Sequence, residues 1–397
     1  MERSGTLSLT LRRMVETMLS VHFDARVRIA GVQDFPYSTV SRCTLDAGGS
    51  SVPQTVVVRL LRKDTARSQP TRLHNEQAAL EFLSSIGSTL APRFIVGDAS
   101  AGILITEDLG PHPSLLDLLL GNDRAAACEG LLAFARSLGT LHAQTAGCAS
   151  TYDDRRARLG RADPNAEHPS VYPSVAETWR QVRDAAVQLG LPHPRGVDDD
   201  VQEIAYMLAE SDAYVALSSG DPSPVNCIVG NRIVRFFDFE DAGFRHALID
   251  AAVLRYLYPT GGPVWHLPPG VAGAVETTYR DEMLRACPVA LPNAETYERG
   301  MAAACAAWTI LRMARLVKVD AGPDRDSWLL LPAGWSAPIP TRSRRRQLVA
   351  IMETCIASAD RAGTLKALAA WCELMVDALC SRWPEATEEV PLYPAFK

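Results

Sequence analysis

The sequence lacks the features that would link it to a membrane, to nucleic acid or to an oxidising compartment. Its 397 residues include no charge-free apolar run of membrane-spanning length, and Met1–Gly5 does not open a signal peptide. A net charge of -6 disfavours a general nucleic-acid binder, whose surface would be basic. The nine cysteines form neither a C-x-x-C pair nor a zinc spacing with histidine. These absences predict a cytoplasmic protein that binds neither nucleic acid nor membrane.

Hydrolase patterns are missing as well. The chain has no G-x-S-x-G elbow and its eight histidines are scattered, so a Ser/His/Asp or Cys/His hydrolase fits poorly. His142 ends an apolar helix face, which predicts a structural role. Cys227 is either a redox-sensitive thiol or a buried packing residue, with packing favoured. Four further cysteines in apolar helical patterns are predicted to pack in the core: Cys305, Cys355, Cys372 and Cys380.

The length predicts two or three domains or lobes, and 47% hydrophobic residues suffice for sizeable cores. The first hundred residues read as strands, with a helix over Arg72–Ile86 after the third strand. Helical periodicity dominates from Ser114 onwards, with a strand over Tyr214–Leu217. The five N-terminal strands are expected at Ala25–Gly31, Thr39–Asp46, Thr55–Leu61, Arg93–Gly97 and Gly102–Thr106. The last helices are expected near residues 247–258, 270–286, 295–318, 342–361 and 364–382.

The most informative segment follows the strand at Tyr214–Leu217. It reads Ser219-Gly220-Asp221-Pro222-Ser223-Pro224-Val225-Asn226, then a strand-like run, then Asp238. An Asp that takes a hydroxyl proton, together with an Asn and an Asp that hold magnesium, is the set that phosphoryl transfer needs. An ordinary turn uses the same residue types, but the strand context favours the chemical interpretation.

This spacing resembles the catalytic segment of the aminoglycoside phosphotransferase-like kinases, which reads H-G-D-x-x-x-x-N and continues past a strand to a hydrophobic-Asp motif. Glu240–Phe244 and His246–Ala252 resemble the family's continuation after this Asp, D-x-E-D-A-G…D-P-L-x-D-L-A, and the resemblance covers most of residues 25 to 258. It implies an α+β, bilobal protein kinase-like fold. A small antiparallel-sheet N-lobe would span residues 1–108, and a large, mainly helical C-lobe would span 109–397 and carry the catalytic loop 219–226.

The resemblance implies a role for each polar residue of this segment. Asp221 is the expected general base. Asn226 and Asp238 are the expected magnesium ligands. Asp250 either braces the catalytic loop or caps the helix that it begins, and the sequence leaves both readings open. Ser219 stands where the family has His and is expected to support the loop.

Nucleotide binding is expected to use the N-terminal region. Arg59 stands on the third strand where most such kinases place Lys, and Glu76 on the next helix is its expected partner. The backbone of Glu107 through Leu109 is the expected hinge that pairs with the adenine edge. The loop before the second strand holds one glycine, so Ser38 and Thr39 either bond phosphate or belong to a plain hairpin.

The expected function is therefore magnesium-dependent transfer of the γ-phosphate of ATP or GTP. The acceptor would be a hydroxyl of a small molecule, such as an aminoglycoside-like or other metabolite, or a peptide Ser/Thr. The alternative is a pseudokinase-like module that holds a protein partner, because Arg59, Ser219 and the glycine-poor loop depart from the family pattern. The presence of Asp221, Asn226 and Asp238 favours the enzyme.

Overall fold

A computed structural model of the chain describes residues 7–35, 39–48, 51–61, 69–160, 175–209, 214–256, 265–286, 293–326 and 342–397. The chain divides into two compact units. The first comprises residues 1–112, 150–169 and 235–243, and the second comprises 113–149, 170–234 and 244–397. The lobe boundary predicted between residues 108 and 109 stays a prediction. Within the described ranges, no helix is both long enough and apolar enough to cross a membrane.

The first unit is built on a five-stranded antiparallel sheet in the order β1-β2-β3-β5-β4. Because side chains alternate across a strand, Val56 and Val58 of β3 are buried on one face and Arg59 points to the other. Arg59 lies opposite Leu104 of β5. The strands are β1 (Val27–Asp34), β2 (Val40–Ala47), β3 (Thr55–Leu60), β4 (Phe94–Asp98) and β5 (Ile103–Glu107).

Helices cover both faces of this sheet. The helix α1 (Leu9–Phe23) buries Val15 and Leu19 in the cluster that contains the β3 valines. The helix α2 (Gln69–Ser85) lies on the other face, where Glu76 contacts Arg59.

The second unit is mainly helical. Its helices are α3 (Leu115–Leu120), α4 (Arg124–Thr145), α6 (Val175–Gln188), α7 (Val197–Ala209), α8 (Ala247–Ala251), α9 (Val253–Tyr256), α10 (Pro269–Ala286), α11 (Ala294–Met313), α12 (Leu316–Ala321), α13 (Arg344–Ala362) and α14 (Lys366–Arg382). The helix α5 (Ala149–Arg158) belongs almost entirely to the first unit. In the described part of the chain, two-stranded sheets pair β6 (Val215–Ser218) with β9 (Gly243–His246), β7 (Cys227–Gly230) with β8 (Ile233–Phe236), and β10 (Arg325–Asp326) with β11 (Arg342–Ser343).

The predicted fold class is confirmed: the chain is α+β, with a five-stranded antiparallel N-terminal sheet and a mainly helical C-terminal part. Two expected helices differ from their predictions, and the segment expected near 247–258 is the two short helices α8 and α9. The segment expected over 295–318 is two helices, because Arg315 takes a non-helical backbone between α11 and α12. In α5, the Tyr152 hydroxyl donates to the Ala242 carbonyl.

The buried cysteines pack as expected. Cys305, Cys355 and Cys372 are fully buried and Cys380 is half-buried. Cys227 opens β7 with no exposed surface, and its thiol lies 3.6 Å from the Pro224 carbonyl oxygen. Burial raises the pKa of the Cys227 thiol to about 12, which keeps it protonated and unreactive at neutral pH.

Cys227 should therefore resist alkylation in the native protein. With iodoacetamide at mildly alkaline pH, the half-buried Cys128 and Cys148 should be modified first, and Cys227 should react only after unfolding in urea. Peptide mass spectrometry of time points measures each site. Equal native rates at Cys227 and Cys128 would contradict the burial and restore the redox-sensitive alternative.

Candidate functional site

The loop between β6 and β7 carries the sequence-predicted catalytic residues. It begins after Ser218 and ends at Asn226, immediately before Cys227. Gly220 has a φ of +88°, a backbone conformation that favours glycine and that turns the chain directly before Asp221. Strand β6 is itself fixed to α4, because the Leu217 N–H donates to Thr145 Oγ1 at 3.0 Å. The loop thus starts from a well-anchored strand.

A buried serine ties this loop to a buried carboxylate. Ser218 Oγ donates to Asp250 Oδ1 at 2.6 Å and accepts the Gly220 N–H at 3.0 Å. Ser218 and Asp250 are each 1% exposed. Asp250 lies inside α8, and His246 is the residue that caps this helix, accepting the Leu248 N–H. The capping interpretation of Asp250 is therefore wrong, and its carboxylate contacts the loop instead.

The far side of Asp250 faces α4 and α10. His142 Nε2 lies 3.6 Å from Asp250 Oδ2, and His142 Nδ1 lies 2.9 Å from the Tyr279 hydroxyl. His142 and Tyr279 are fully buried, and burial raises the pKa of Tyr279 well above its usual value. His142 is thus enclosed beside the carboxylate that holds the loop.

Asn226 closes the loop from its other end. Its Nδ2 donates to the backbone carbonyl of Asp221 at 3.0 Å, and its own N–H donates to the Ser223 carbonyl at 2.9 Å. Because Nδ2 contacts the Asp221 carbonyl, the oxygen acceptor of the amide, Oδ1, lies on the other branch of the side chain. The second unit therefore brings Asp221, Asn226 and Asp250 together around one loop. Ser219 is also buried on it, at 3% exposed.

In the first unit, Arg59 binds three carboxylates at once. Its Nη1 donates to Glu76 Oε1 at 3.0 Å and to Asp238 Oδ1 at 2.7 Å. Its Nη2 donates to Glu240 Oε2. The structure thus brings together three residues that the sequence had assigned to nucleotide and metal binding, and it adds Glu240.

Charge and burial shift the titration of this group. Burial raises the pKa of Glu76, with Asp238 and Glu240 adding to the rise and Arg59 opposing it. Burial and the Asp238 charge likewise raise the pKa of Glu240. Burial tends to lower the pKa of Arg59, but the charges of its carboxylate partners raise it above the usual value. Carboxylates outnumber the cation, so the group favours an additional positive charge.

Asp238 occupies a backbone conformation that non-glycine residues seldom adopt. Its φ is +66°, in the left-handed region, which costs backbone energy for most side chains but which Asp and Asn tolerate better than others. The buried Phe236 and Phe239 fix the chain on both sides of it. The Asp238 side chain remains 31% exposed. Buried flanking residues thus hold a half-exposed carboxylate in a strained geometry.

Besides Arg59, Glu240 has two partners on helix α2. Its Oε1 accepts from Arg72 Nη1 at 2.8 Å, and its backbone carbonyl accepts from Asn75 Nδ2 at 3.3 Å. Arg72 also reaches Asp241 Oδ2 at 3.3 Å, and Arg156 of α5 donates to Asn75 Oδ1 at 2.7 Å. Sequence reasoning did not assign Arg72 or Glu240 to the site, although Glu240 lies within a motif that carried the family resemblance.

The predicted hinge begins at Glu107, the last residue of β5. The Glu107 carboxylate pairs with Arg235 at 3.0 Å and accepts the Arg93 N–H at 3.1 Å. Asp108 is clamped by Arg42, with contacts of 2.8 and 2.9 Å. Burial tends to raise the pKa of Asp108. Hydrogen bonds from Arg42 and from the Gly110 N–H outweigh this effect and lower the pKa below its usual value.

Leu109, Thr39 and Ser38 are the other residues predicted to contact the nucleotide. Leu109 is half-buried after the hinge strand. Thr39 directly precedes β2, where its carbonyl accepts the Leu60 N–H at 2.9 Å. Ser38 lies outside the described residues.

Asp238 and Asn226 each offer an oxygen donor of the type that magnesium binds. Across the described ranges, no three His, Cys, Asp or Glu side chains cluster in a way that could hold a metal ion alone. Magnesium needs no such cluster, because it is usually held by one or two carboxylates, with phosphate oxygens and water filling the other positions. The half-exposed Asp238 carboxylate and the Asn226 Oδ1 are hard oxygen donors of this kind.

Comparison with solved structures returned distant similarities. A choline kinase from Streptococcus pneumoniae is 13% identical, with 91% of this chain and 99% of that chain covered and a TM-score of 0.38. A choline kinase from Cryptosporidium parvum is 11% identical, with 90% and 99% covered and a TM-score of 0.46. An amicoumacin kinase solved with AMP-PNP and Ca²⁺ is 14% identical, with 84% and 88% covered and a TM-score of 0.46. At these TM-scores, none of the three carries a conclusion about this chain.

Comparison with models of sequence families shows which family the chain belongs to. A search of curated proteins returned no match. The model of the phosphotransferase enzyme family, by contrast, matches residues 42–285, a span that contains Arg59, Glu76, Asp221, Asn226 and Asp238. Because this match extends over more than half of the chain, the protein belongs to the phosphotransferase enzyme family.

Proposed function

We propose that this phosphotransferase moves the γ-phosphate of a nucleoside triphosphate, with magnesium, to a hydroxyl group of a small molecule. The observation that carries the proposal is the ion pair between Arg59 and Asp238. These residues are 179 positions apart, and sequence reasoning assigned one to phosphate and the other to metal. Their side chains lie 2.7 Å apart, with Glu76 on the same guanidinium nitrogen.

Asp221 is the proposed general base. A carboxylate that stays ionised at neutral pH can orient an acceptor hydroxyl and take its proton during transfer. The backbone around Asp221 is restrained from both sides, by Ser218 before it and by the Asn226 amide after it. Such restraint supports a catalytic assignment, because general-base catalysis requires the carboxylate to keep a fixed position relative to the acceptor.

Asn226 and Asp238 are the proposed magnesium ligands. When bound, the ion would neutralise phosphate charge that protein side chains alone cannot balance. The strained backbone of Asp238 supports this role, because such strain persists where the surrounding structure enforces a functional geometry.

Arg59 and Glu76 are the proposed phosphate clamp. A guanidinium offers several N–H donors in one plane and can bind phosphate oxygens in pairs, whereas the usual lysine acts as a point charge. Glu76 is 6% exposed and fixes one edge of that plane. The nucleobase, either adenine or guanine, would pair with the backbone of Glu107 through Leu109.

The proposed acceptor class is a small-molecule alcohol, and membership of a phosphotransferase family supports it. Within this class the proposed acceptor is an aminoglycoside-like compound or another metabolite, and a peptide Ser/Thr is the alternative to a small molecule. A non-catalytic module that holds a protein partner should show no transfer, so replacing Asp221 should change nothing. The first experiment tests this.

Asp221→Asn should abolish transfer and preserve nucleotide binding. The amide keeps the shape of the side chain but cannot take a proton, so the rate should fall at least about 100-fold. A panel of small-molecule alcohols, scored by release of nucleoside diphosphate, measures the rate, and a fluorescent nucleotide measures affinity. Equal turnover in the variant would refute Asp221 as the base. Absence of turnover in the wild type across the panel, with intact nucleotide binding, would favour the non-catalytic module.

Asp238→Asn should weaken binding of the magnesium-nucleotide complex. Asn tolerates the same left-handed backbone, so the change removes charge with little added strain. Loss of one charged contact predicts about a tenfold rise in the dissociation constant measured with magnesium. In EDTA the variant should differ much less from wild type. An equal effect with and without magnesium would exclude Asp238 as a metal ligand.

Ser218→Ala should slow transfer more than Ser219→Ala. Only the first change removes the hydroxyl that links Asp250 to the Gly220 amide. Loss of a hydrogen bond to a buried carboxylate predicts a turnover about tenfold lower, with nucleotide affinity unchanged. The adjacent serine is a matched control of equal size and similar burial. If Ser219→Ala slowed transfer more than Ser218→Ala, Ser219 would be the residue that supports the loop.

A further inference from the structure

Glu240 connects two arginines through its two carboxylate oxygens. Oε2 accepts from Arg59 Nη2 and Oε1 accepts from Arg72 Nη1. The side chain is 25% exposed, and Arg59 is 22% exposed, so water screens these ion pairs only in part. Both carboxylate oxygens are therefore already engaged by a guanidinium donor.

The backbone of Glu240 is held separately. Asn75 of α2 donates to the Glu240 carbonyl at 3.3 Å, and Arg156 of α5 fixes Asn75 through a 2.7 Å hydrogen bond. The next residue, Asp241, pairs with Arg72 at 3.2 Å. Glu240 is therefore anchored through both its backbone and its side chain, and it can orient a partner.

The partner that depends on this orientation is Arg59. Its Nη1 is shared between Glu76 and Asp238, while its Nη2 bonds to Glu240. Three carboxylates at two nitrogens define the plane of the guanidinium, and a guanidinium binds phosphate oxygens in pairs only when its plane is correctly set. Without the Glu240 contact, the Nη2 edge could rotate away from that plane.

We propose that Glu240 is a positioning residue, which acts through Arg59 to set the plane of the guanidinium that receives the nucleotide phosphates. This inference rests on the proposed function, because it requires a nucleotide at Arg59. It assigns Glu240 to the arginines, because each of its oxygens accepts from a guanidinium, and measurements with magnesium and in EDTA separate this role from metal binding. Arg72 then serves as the second anchor of the same carboxylate.

The test measures whether ADP affinity rises or falls when the charge of Glu240 is removed. Removing a negative charge near bound phosphates should by itself tighten nucleotide binding, because repulsion falls. Loss of the Arg59 orientation should weaken it. For Glu240→Gln, we expect ADP to bind about fivefold to tenfold more weakly than in the wild type, both with magnesium and in EDTA. Adenosine, which has no phosphate, should bind both proteins equally.

Asp241→Asn is the matched control. It removes the same charge one residue away, from a carboxylate whose ion pair is with Arg72. Its ADP affinity should stay the same or rise. A double-mutant cycle tests the connection to Arg59: after Arg59→Lys, which lacks the second nitrogen, Glu240→Gln should have little further effect. Unfolding midpoints of all variants show whether they are folded.

Three results would overturn the inference. The first is an ADP affinity for Glu240→Gln that equals or exceeds that of the wild type. The second is additive effects of Glu240→Gln and Arg59→Lys on ADP affinity. The third is an effect of Glu240→Gln that appears only with magnesium, which would make Glu240 a metal ligand. If the wild type itself binds neither ADP nor GDP, the proposed function fails, and this outcome is distinct from a wild type that binds while Glu240→Gln is unchanged.

Discussion

The site in the first unit depends on one guanidinium shared among carboxylates. Arg59 emerges from β3 because strand alternation sends Val56 and Val58 to the opposite face. Three acidic side chains from α2 and from the segment after β8 converge on it. A partly buried cation of this kind is stable only with its partners, so loss of one partner redistributes the others. The arrangement explains how arginine can replace lysine here, since only a planar fork bonds so many oxygens in fixed directions.

The loop in the second unit uses a different constraint. A carboxylate with 1% exposure, Asp250, is costly to bury unless it is hydrogen-bonded, and Ser218 supplies that bond. The same hydroxyl accepts the amide of Gly220, so the loop cannot move without exposing unsatisfied polar groups. His142 borders the other carboxylate oxygen. The position that holds His in the family pattern is a serine here, and its neighbour Ser218 makes the link to Asp250.

The sequence predicted the parts that depend on local pattern. Strand alternation and the order of strands and helix identified the sheet, and the Asp221 to Asn226 spacing located the loop. Contacts between distant segments could not be read this way: Arg72 and Glu240 are 168 positions apart, and nothing local pairs them. The role of Asp250 was ambiguous because it depends on where α8 begins, and the sequence does not distinguish His246 from Asp250 as the cap. Arg315 is an ordinary helix former, so the break between α11 and α12 had no local signal.

The central claim is that the chain binds a nucleoside triphosphate together with magnesium, and thermal unfolding tests it most directly. A ligand that binds only the folded state adds about 2.7 kcal/mol at 100 times its dissociation constant, which raises the midpoint by several degrees. The account predicts a rise with ATP or GTP that is larger when magnesium is present. No rise with either nucleotide at millimolar concentration, with or without magnesium, would contradict it.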